Sequence, residues 1–284
     1  MGDPEDLPQY SVMQTVYAGD EPSELDAGIR SVLTQSHPPS ELLIVADGPL
    51  TDELSAIIDR HRAASPSVVT LLELSENRGR GAAARAGIDN CTFEFVGIMS
   101  ADDICVPTRF ERQLSVLTAN PAIDVVGGHV AEFVDDPDDP QTVRRVPTDP
   151  AAIERMAKFR SPMNEVTVTF RRDAVLAAGN YRPVGRMEDY DLWVRLLQDG
   201  ATLANLDAVL VKMRAGEDLF ARRGGIEYAS EELRQQKALL EMGFIGVPRF
   251  LCNVAMRVPI RLVPNRIRSL IYRRLLRDGS AESH

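Results

Sequence analysis

Two rhythms alternate along the first half of the chain. Stretches of mostly apolar residues are followed by stretches in which apolar residues recur every third or fourth position. Tyr10–Val16 reads as a strand, and Pro22–Gln35 then sets Leu25, Ile29, Val32 and Leu33 on one helical face. Leu42–Val45 is a short apolar run halted by the turn signal Asp47-Gly48-Pro49. Leu54, Ile57, Ile58 and His61 repeat the helical spacing. Val68–Leu72, Phe93–Met99 and Asp124–Val130 are three further strand candidates, with a Pro107-opened helix carrying Phe110, Leu114 and Leu117 before the last. Alternation of this kind predicts an α/β fold with a mostly parallel central sheet.

In such sheets ligands bind beyond the carboxyl ends of the strands. The residues there are Tyr17, then Asp47-Gly48, then Asn77-Arg78-Gly79, then Ser100-Ala101-Asp102-Asp103. The rhythm changes after the charged, Pro-containing segment Asp135–Pro140. Val166–Phe170 is predicted to be a strand and Glu188–Gln198 a helix with Leu192, Trp193, Leu196 and Leu197 inward. A polar helix over Ile226–Met242 precedes a basic tail, in which Pro259 and Pro264 are expected to break the apolar stretch. Ile267, Leu270, Ile271 and Leu275 then follow helical spacing beside five arginines.

Charge sharpens this division. The chain has 284 residues and net charge −10, which argues against a general nucleic-acid binder. From Gly246 to His284 there are eight Arg, no Lys and two acids, net +6. An amphipathic basic helix there would either lie on an anionic membrane or pack its apolar face on the protein. Three cysteines without metal spacing fit a reducing interior. The acidic start MGDPEDLPQY predicts no signal peptide, and no apolar stretch is long enough to span a membrane. The expectation is a cytoplasmic protein, peripheral at most at the inner face of the membrane.

Two chemistries compete for the strand ends. Gly79-Arg-Gly81-Ala-Ala-Ala84 matches a dinucleotide-binding fingerprint in form, with Asp102 21 residues beyond Gly81. However, the match follows the third candidate strand, not the first. A Gly-rich turn into a helix would look the same. The alternative centres on Ser100–Asp103, whose carboxylates suit a hard cation shared with phosphate oxygens. Acidic capping of the following helix would also place Asp there.

Several blocks, in order, bear on the choice. They are Tyr10–Tyr17, Ser31–Gln35, Leu43–Pro49, Asn77–Gly81, Met99–Asp103 with Arg109-Phe110, Glu188–Trp193 and Arg222–Gly225. Together they resemble the family 2 glycosyltransferases of the GT-A fold that build surface polysaccharides and protein-linked glycans. The resemblance implies a GT-A type Rossmann-like sandwich over residues 1–215 and a helical, basic region over 216–284. It implies an inverting transferase that moves a sugar from a nucleotide diphosphate, most simply UDP, to a growing, lipid-linked glycan. It also implies Mn²⁺ or Mg²⁺ as cofactor. Thr15, Val16, Tyr17, Asn77, Gly79, Arg85, Ser100 and Ala101 would line the donor, and Asp47 would accept from the uracil imide. Asp102 and Asp103 would serve the metal. Asp189 would be the general base, with Glu188 beside it, and Arg222 and Arg223 would clamp a diphosphate. Tyr190 is a candidate to stack on a sugar, whereas Trp193 reads as core. Three departures weaken the match: Ser100 replaces the first Asp of the metal motif, Glu165 stands where relatives often carry His, and Ala86 where they carry Asn. Two other readings stay open, a non-catalytic nucleotide-sugar binding subunit and an NAD-dependent oxidoreductase.

Overall fold

A computed structural model of the chain describes residues 7–215 and 225–262. Its contacts divide it into two compact units, Met1–Arg214 and Ala215–His284.

In the first unit, period-2 alternation sorts side chains to the two faces of one sheet. β1 (Tyr10–Val16), β2 (Glu41–Ala46), β3 (Val69–Glu73) and β4 (Phe95–Met99) pair in parallel in the order β3-β2-β1-β4. Tyr10, Val12, Leu42 and Ile44 enter one apolar layer, with Leu25 and Ile29 of α1 (Pro22–Leu33) and Leu54 and Ile58 of α2 (Asp52–Ala64). Met13, Leu43, Val45, Val96 and Ile98 enter the opposite layer, with Ala83, Ala84 and Ile88 of α3 (Arg80–Asn90). Pro22 opens α1, and the Thr51 hydroxyl caps α2 by accepting from the Leu54 amide.

The sheet then turns antiparallel. β5 (Ile104–Cys105), α4 (Arg109–Ala119), β6 (Val125–Phe133), β7 (Thr142–Arg144) and α5 (Pro150–Ala157) follow in the chain. β8 (Thr169–Arg171), α6 (Arg172–Ala177), α7 (Glu188–Gln198) and β9 (Leu203–Arg214) complete the unit. β8 runs antiparallel to both β4 and β6, β9 parallel to β6, and β5 antiparallel to β9. Trp193 is fully buried among Leu192 and Leu196.

The second unit contains α8 (Ile226–Glu241) and α9 (Val247–Leu262).

Two expectations need correction. Val166–Phe170 is not one strand: Glu165–Thr167 forms a 3₁₀ turn and the strand begins at Thr169. The Thr167 hydroxyl donates to Asn164 O at 2.7 Å and accepts from the Gly128 amide at 3.0 Å, so the side chain competes with the ladder. Pro259 does not end a helix but lies inside α9. Pro259 carries no N–H for the Ala255 carbonyl, and both residues are exposed. The predicted helix over Ile267–Leu275 lies outside the described residues.

Candidate active site

The four strand-end segments converge where the strand order reverses between β1 and β4, the place this sheet class reserves for a ligand. Val16 buries its side chain in the core and uses its carbonyl to accept the Asp47 amide at 2.8 Å. Thr15 is half-buried, whereas the Tyr17 ring is 46% exposed at the end of β1. A Cβ on Gly19 would meet that ring at 2.5 Å, so glycine leaves room for it. Asp47 is buried, and its Oδ1 accepts the Arg78 amide at 2.7 Å, tying the end of β2 to the loop before α3. In that loop Asn77 Oδ1 accepts the Gly79 amide at 3.2 Å. Gly79 has φ +85°, which glycine tolerates at no steric cost.

The Ser100–Asp103 loop rests on β1 and α1. Gln14 Nε2 donates to Ser100 O at 2.9 Å, and a Cβ on Gly28 would come within 2.8 Å of Ala101 O. Ser100 and Asp102 are half-buried, whereas Asp103 is almost fully buried with Oδ1 accepting the Arg214 amide at 3.1 Å. Burial, then the Asp102 charge, pushes the Asp103 carboxyl up to about 8. Asp20 joins this acidic group. It accepts the Tyr17 amide at 2.9 Å, and burial, with smaller effects of Asp102 and Glu24, pushes it up to about 6.

A second group forms where α3 and α7 begin. Asp189 is half-buried, with Ser161 Oγ donating to its Oδ2 at 3.4 Å. Glu188 lies against α3: a Cβ on Gly81 would meet its Cγ at 2.7 Å. The Gly81 amide hydrogen-bonds this carboxyl, yet burial is the larger influence and raises it. Glu165 is buried, accepts from the Tyr181 hydroxyl at 2.8 Å and pairs with the Arg80 guanidinium. The Arg80 charge also favours the ionised form of both Asp103 and Glu188, a smaller influence on each than burial.

Arg85 is placed differently from a donor ligand: its Nη1 donates to Gly179 O and Tyr181 O, both at 3.0 Å. With Arg195 of α7, which donates to Ala178 O and to Asn180 O, it clamps the turn leading to α7. That turn holds Asn180 at φ +57°. Tyr190 does not present its ring for stacking; it is buried and its hydroxyl donates to Ala157 O at 2.6 Å. Arg222 and Arg223 lie outside the described residues.

The donor set at Ser100–Asp103 consists of oxygen alone. Among the described residues no three or more His, Cys, Asp or Glu side chains are grouped to hold a metal. Two adjacent carboxylates, one of them raised by burial and then by the charge of the other, fit a group that brings positive charge. Oxygen ligands with few protein carboxylates suit Mg²⁺ or Mn²⁺ completed by phosphate.

The match to the model described as "Glycosyl transferase family 2" covers residues 13–177, from β1 through the acidic loop to α6. The chain belongs to this glycosyltransferase family. Its relatives include the amylovoran biosynthesis glycosyltransferase AmsE of Erwinia amylovora, 36% identical over 93% of this chain and 97% of that protein. The UDP-Gal:alpha-D-GlcNAc-diphosphoundecaprenol beta-1,3-galactosyltransferase of Escherichia coli is 32% identical, over 96% and 98% respectively. The fold matches that of mannosyltransferase PcManGT from Pyrobaculum calidifontis, solved with GDP-Man and Mn²⁺. That likeness has a TM-score of 0.60 at 18% identity and covers 99% of this chain and 78% of the other. The transferase reading supersedes the dinucleotide one. Gly81 serves close approach to Glu188, and the strand before Gly79–Ala84 is the sheet edge. The sequence pointed to Asp47, Asp102 and Glu188-Asp189, and to Glu165 as a departure from the family pattern, but not to Asp20 or Tyr181 as neighbours of this candidate site.

Proposed function

We propose that the protein transfers a sugar from a UDP-sugar to a lipid-linked glycan, with inversion at the anomeric carbon. The observation that carries this is the placement of two carboxylates at different element ends, Asp102 beyond β4 at the β1/β4 switch point and Asp189 in the first turn of α7. Tyr17, Asp47, Asn77 and Gly79 form the nucleotide side, with Thr15 and Ala101 as its floor. Asp102 and Ser100 face the diphosphate, and Asp103 supports Asp102 from behind. A divalent cation held by Asp102 would neutralise charge on the leaving diphosphate. Asp189 takes the proton of the acceptor hydroxyl and aligns that hydroxyl for attack. Glu188, seated on Gly81, fixes the entry of α7. Arg85 acts at one remove, by holding the turn that precedes Asp189. Because attack and departure occur on opposite faces in one displacement, inversion follows without a covalent intermediate. The E. coli relative, which acts on a diphosphoundecaprenol-linked sugar, supports a lipid-linked acceptor. The basic chain from Gly246 onward supports contact with the inner membrane face. Asp189→Asn tests the proposal: turnover falls by about 10²–10⁴-fold while UDP affinity stays unchanged. Equal loss of both, or retention of turnover, would remove Asp189 from the chemistry, and UDP binding without any turnover in the wild type would favour a binding subunit.

A further inference from the structure

The α8–α9 pair is built with its polar groups inside. Glu232 of α8 is fully buried. It accepts from Arg257 Nε at 2.6 Å, Arg257 Nη2 at 3.0 Å and Arg261 Nη2 at 3.1 Å. Asn253 Nδ2 donates to Gln236 Oε1 at 2.8 Å one turn away. Asn253, Arg257 and Arg261 recur every four residues, so they form one face of α9.

The opposite face of α9 is apolar and uncovered. Pro248, Leu251, Cys252, Ala255, Pro259 and Leu262 recur at helical spacing and are all exposed. Leu251 is 60% exposed and Leu262 55%. In water this arrangement is costly, because the apolar stripe gains nothing and the charged seam has been desolvated. A helix that points its carbons outward and its charges inward suits an apolar medium on its outer side. No described helix is long and apolar enough to cross a membrane, and an amphipathic helix with an apolar stripe of this kind suits a flat-lying orientation in the interface.

Charge identifies the medium. Between Gly246 and Arg277 the chain carries, besides Arg257 and Arg261 of the seam, six arginines and no acid, in a protein whose net charge is −10. Such a run complements an anionic lipid surface, each residue near it adding to the attraction. A second copy of the same stripe would bring like charges together.

We infer that α9 lies in the plane of an anionic bilayer surface, its Pro248–Leu262 stripe among the acyl chains and its flanking arginines at the headgroups. This inference rests on the membrane contact proposed above and assigns that contact to α9 rather than to the segment beyond it.

Cys252 supplies the probe, since it is exposed on the stripe while Cys91 and Cys105 are buried. The full-length protein is labelled there with an environment-sensitive fluorophore and mixed with phosphatidylglycerol-containing or pure phosphatidylcholine vesicles. The expected result is a blue shift and quenching by a lipid-borne quencher on anionic vesicles. Leu251→Asp combined with Leu262→Asp lowers vesicle partitioning by about tenfold or more. The same double variant keeps wild-type transfer to a water-soluble acceptor, which shows that it is folded. If the wild type binds anionic vesicles but the label stays in water and the double variant binds equally, the assignment to α9 is overturned while the membrane reading stands. Failure of the wild type to bind either vesicle overturns both. A dimer with the label shielded before lipid is added also overturns the inference, in favour of a second copy.

Discussion

The Rossmann-like unit and the α8–α9 pair solve the burial problem in opposite ways. In the first, alternate residues of β1 and β2 feed two apolar layers, and a buried cation is an exception with every branch occupied. Arg109, fully buried, donates to Gln113 Oε1 at 3.1 Å, Ile98 O at 2.8 Å, Val168 O at 3.1 Å and Cys105 Sγ at 3.2 Å. In the second, a carboxylate and two guanidiniums form the seam, and carbon faces outward. The first pattern is that of a domain surrounded by water. The second is informative because a helix reveals the medium it is built for by what it hides.

Breaking the charged seam gives a large effect. Glu232→Ala leaves buried Arg261 and half-buried Arg257 without this carboxylate and costs about 3–5 kcal/mol. Hydrogen exchange of the α8 and α9 amides measures it. Replacing Glu232, Arg257 and Arg261 together by apolar residues of similar volume sharpens the contrast, with stability unchanged or raised. Equal destabilisation by the single and triple variants would mean that the seam contributes as packing, not as charge.

Gly81 separates stability from chemistry in the first unit. Gly81→Ala improves helix propensity by about 1 kcal/mol, but its Cβ would lie 2.7 Å from Glu188 Cγ, so Glu188 must move. Turnover is expected to fall by about tenfold, since small misplacements near reacting groups are costly, while thermal stability changes little. Steady-state kinetics beside a melting curve checks both.

The smallest effect is on pH dependence. Burial raises the Glu232 carboxyl, but Arg257 and Arg261 outweigh it and hold the folded value below the usual one. The folded unit therefore binds fewer protons than the unfolded chain around that range. Its contribution is complete above the unfolded value near about 4.3 and is lost as pH falls through the lower, folded value. Amide protection in α8 and α9 should be flat from about pH 7 to 5 and decline below about 4.

Much of the sheet was legible because β1 and β2 are short, mostly apolar runs and α1 carries clean helical periodicity. β9 was not, because Asn205, Asp207 and Lys212 interrupt its alternation and its pairing with β6 contains register shifts. β5 and β7 are too short to show a period. At the site, the strand-end rule located Asp47 and Asp102 without reference to tertiary contacts. The Arg80–Glu165–Tyr181 group could not be read that way. Arg80 and Glu165 are far apart in the chain and meet only when α3 packs beside the 3₁₀ turn before β8. Pro259 shows the limit of a local rule, since proline removes one helical hydrogen bond without always ending the helix.

The central claim is that the β1/β4 switch point binds a nucleotide diphosphate through Asp102 with a divalent cation. Calorimetric titration of the protein with UDP, with and without Mn²⁺, tests it most directly when Asp102→Asn is run alongside. The account predicts UDP binding strengthened by Mn²⁺ in the wild type, with the Mn²⁺ effect lost in the variant. UDP binding indifferent to both Mn²⁺ and Asp102, or NAD⁺ binding in place of UDP, would contradict it.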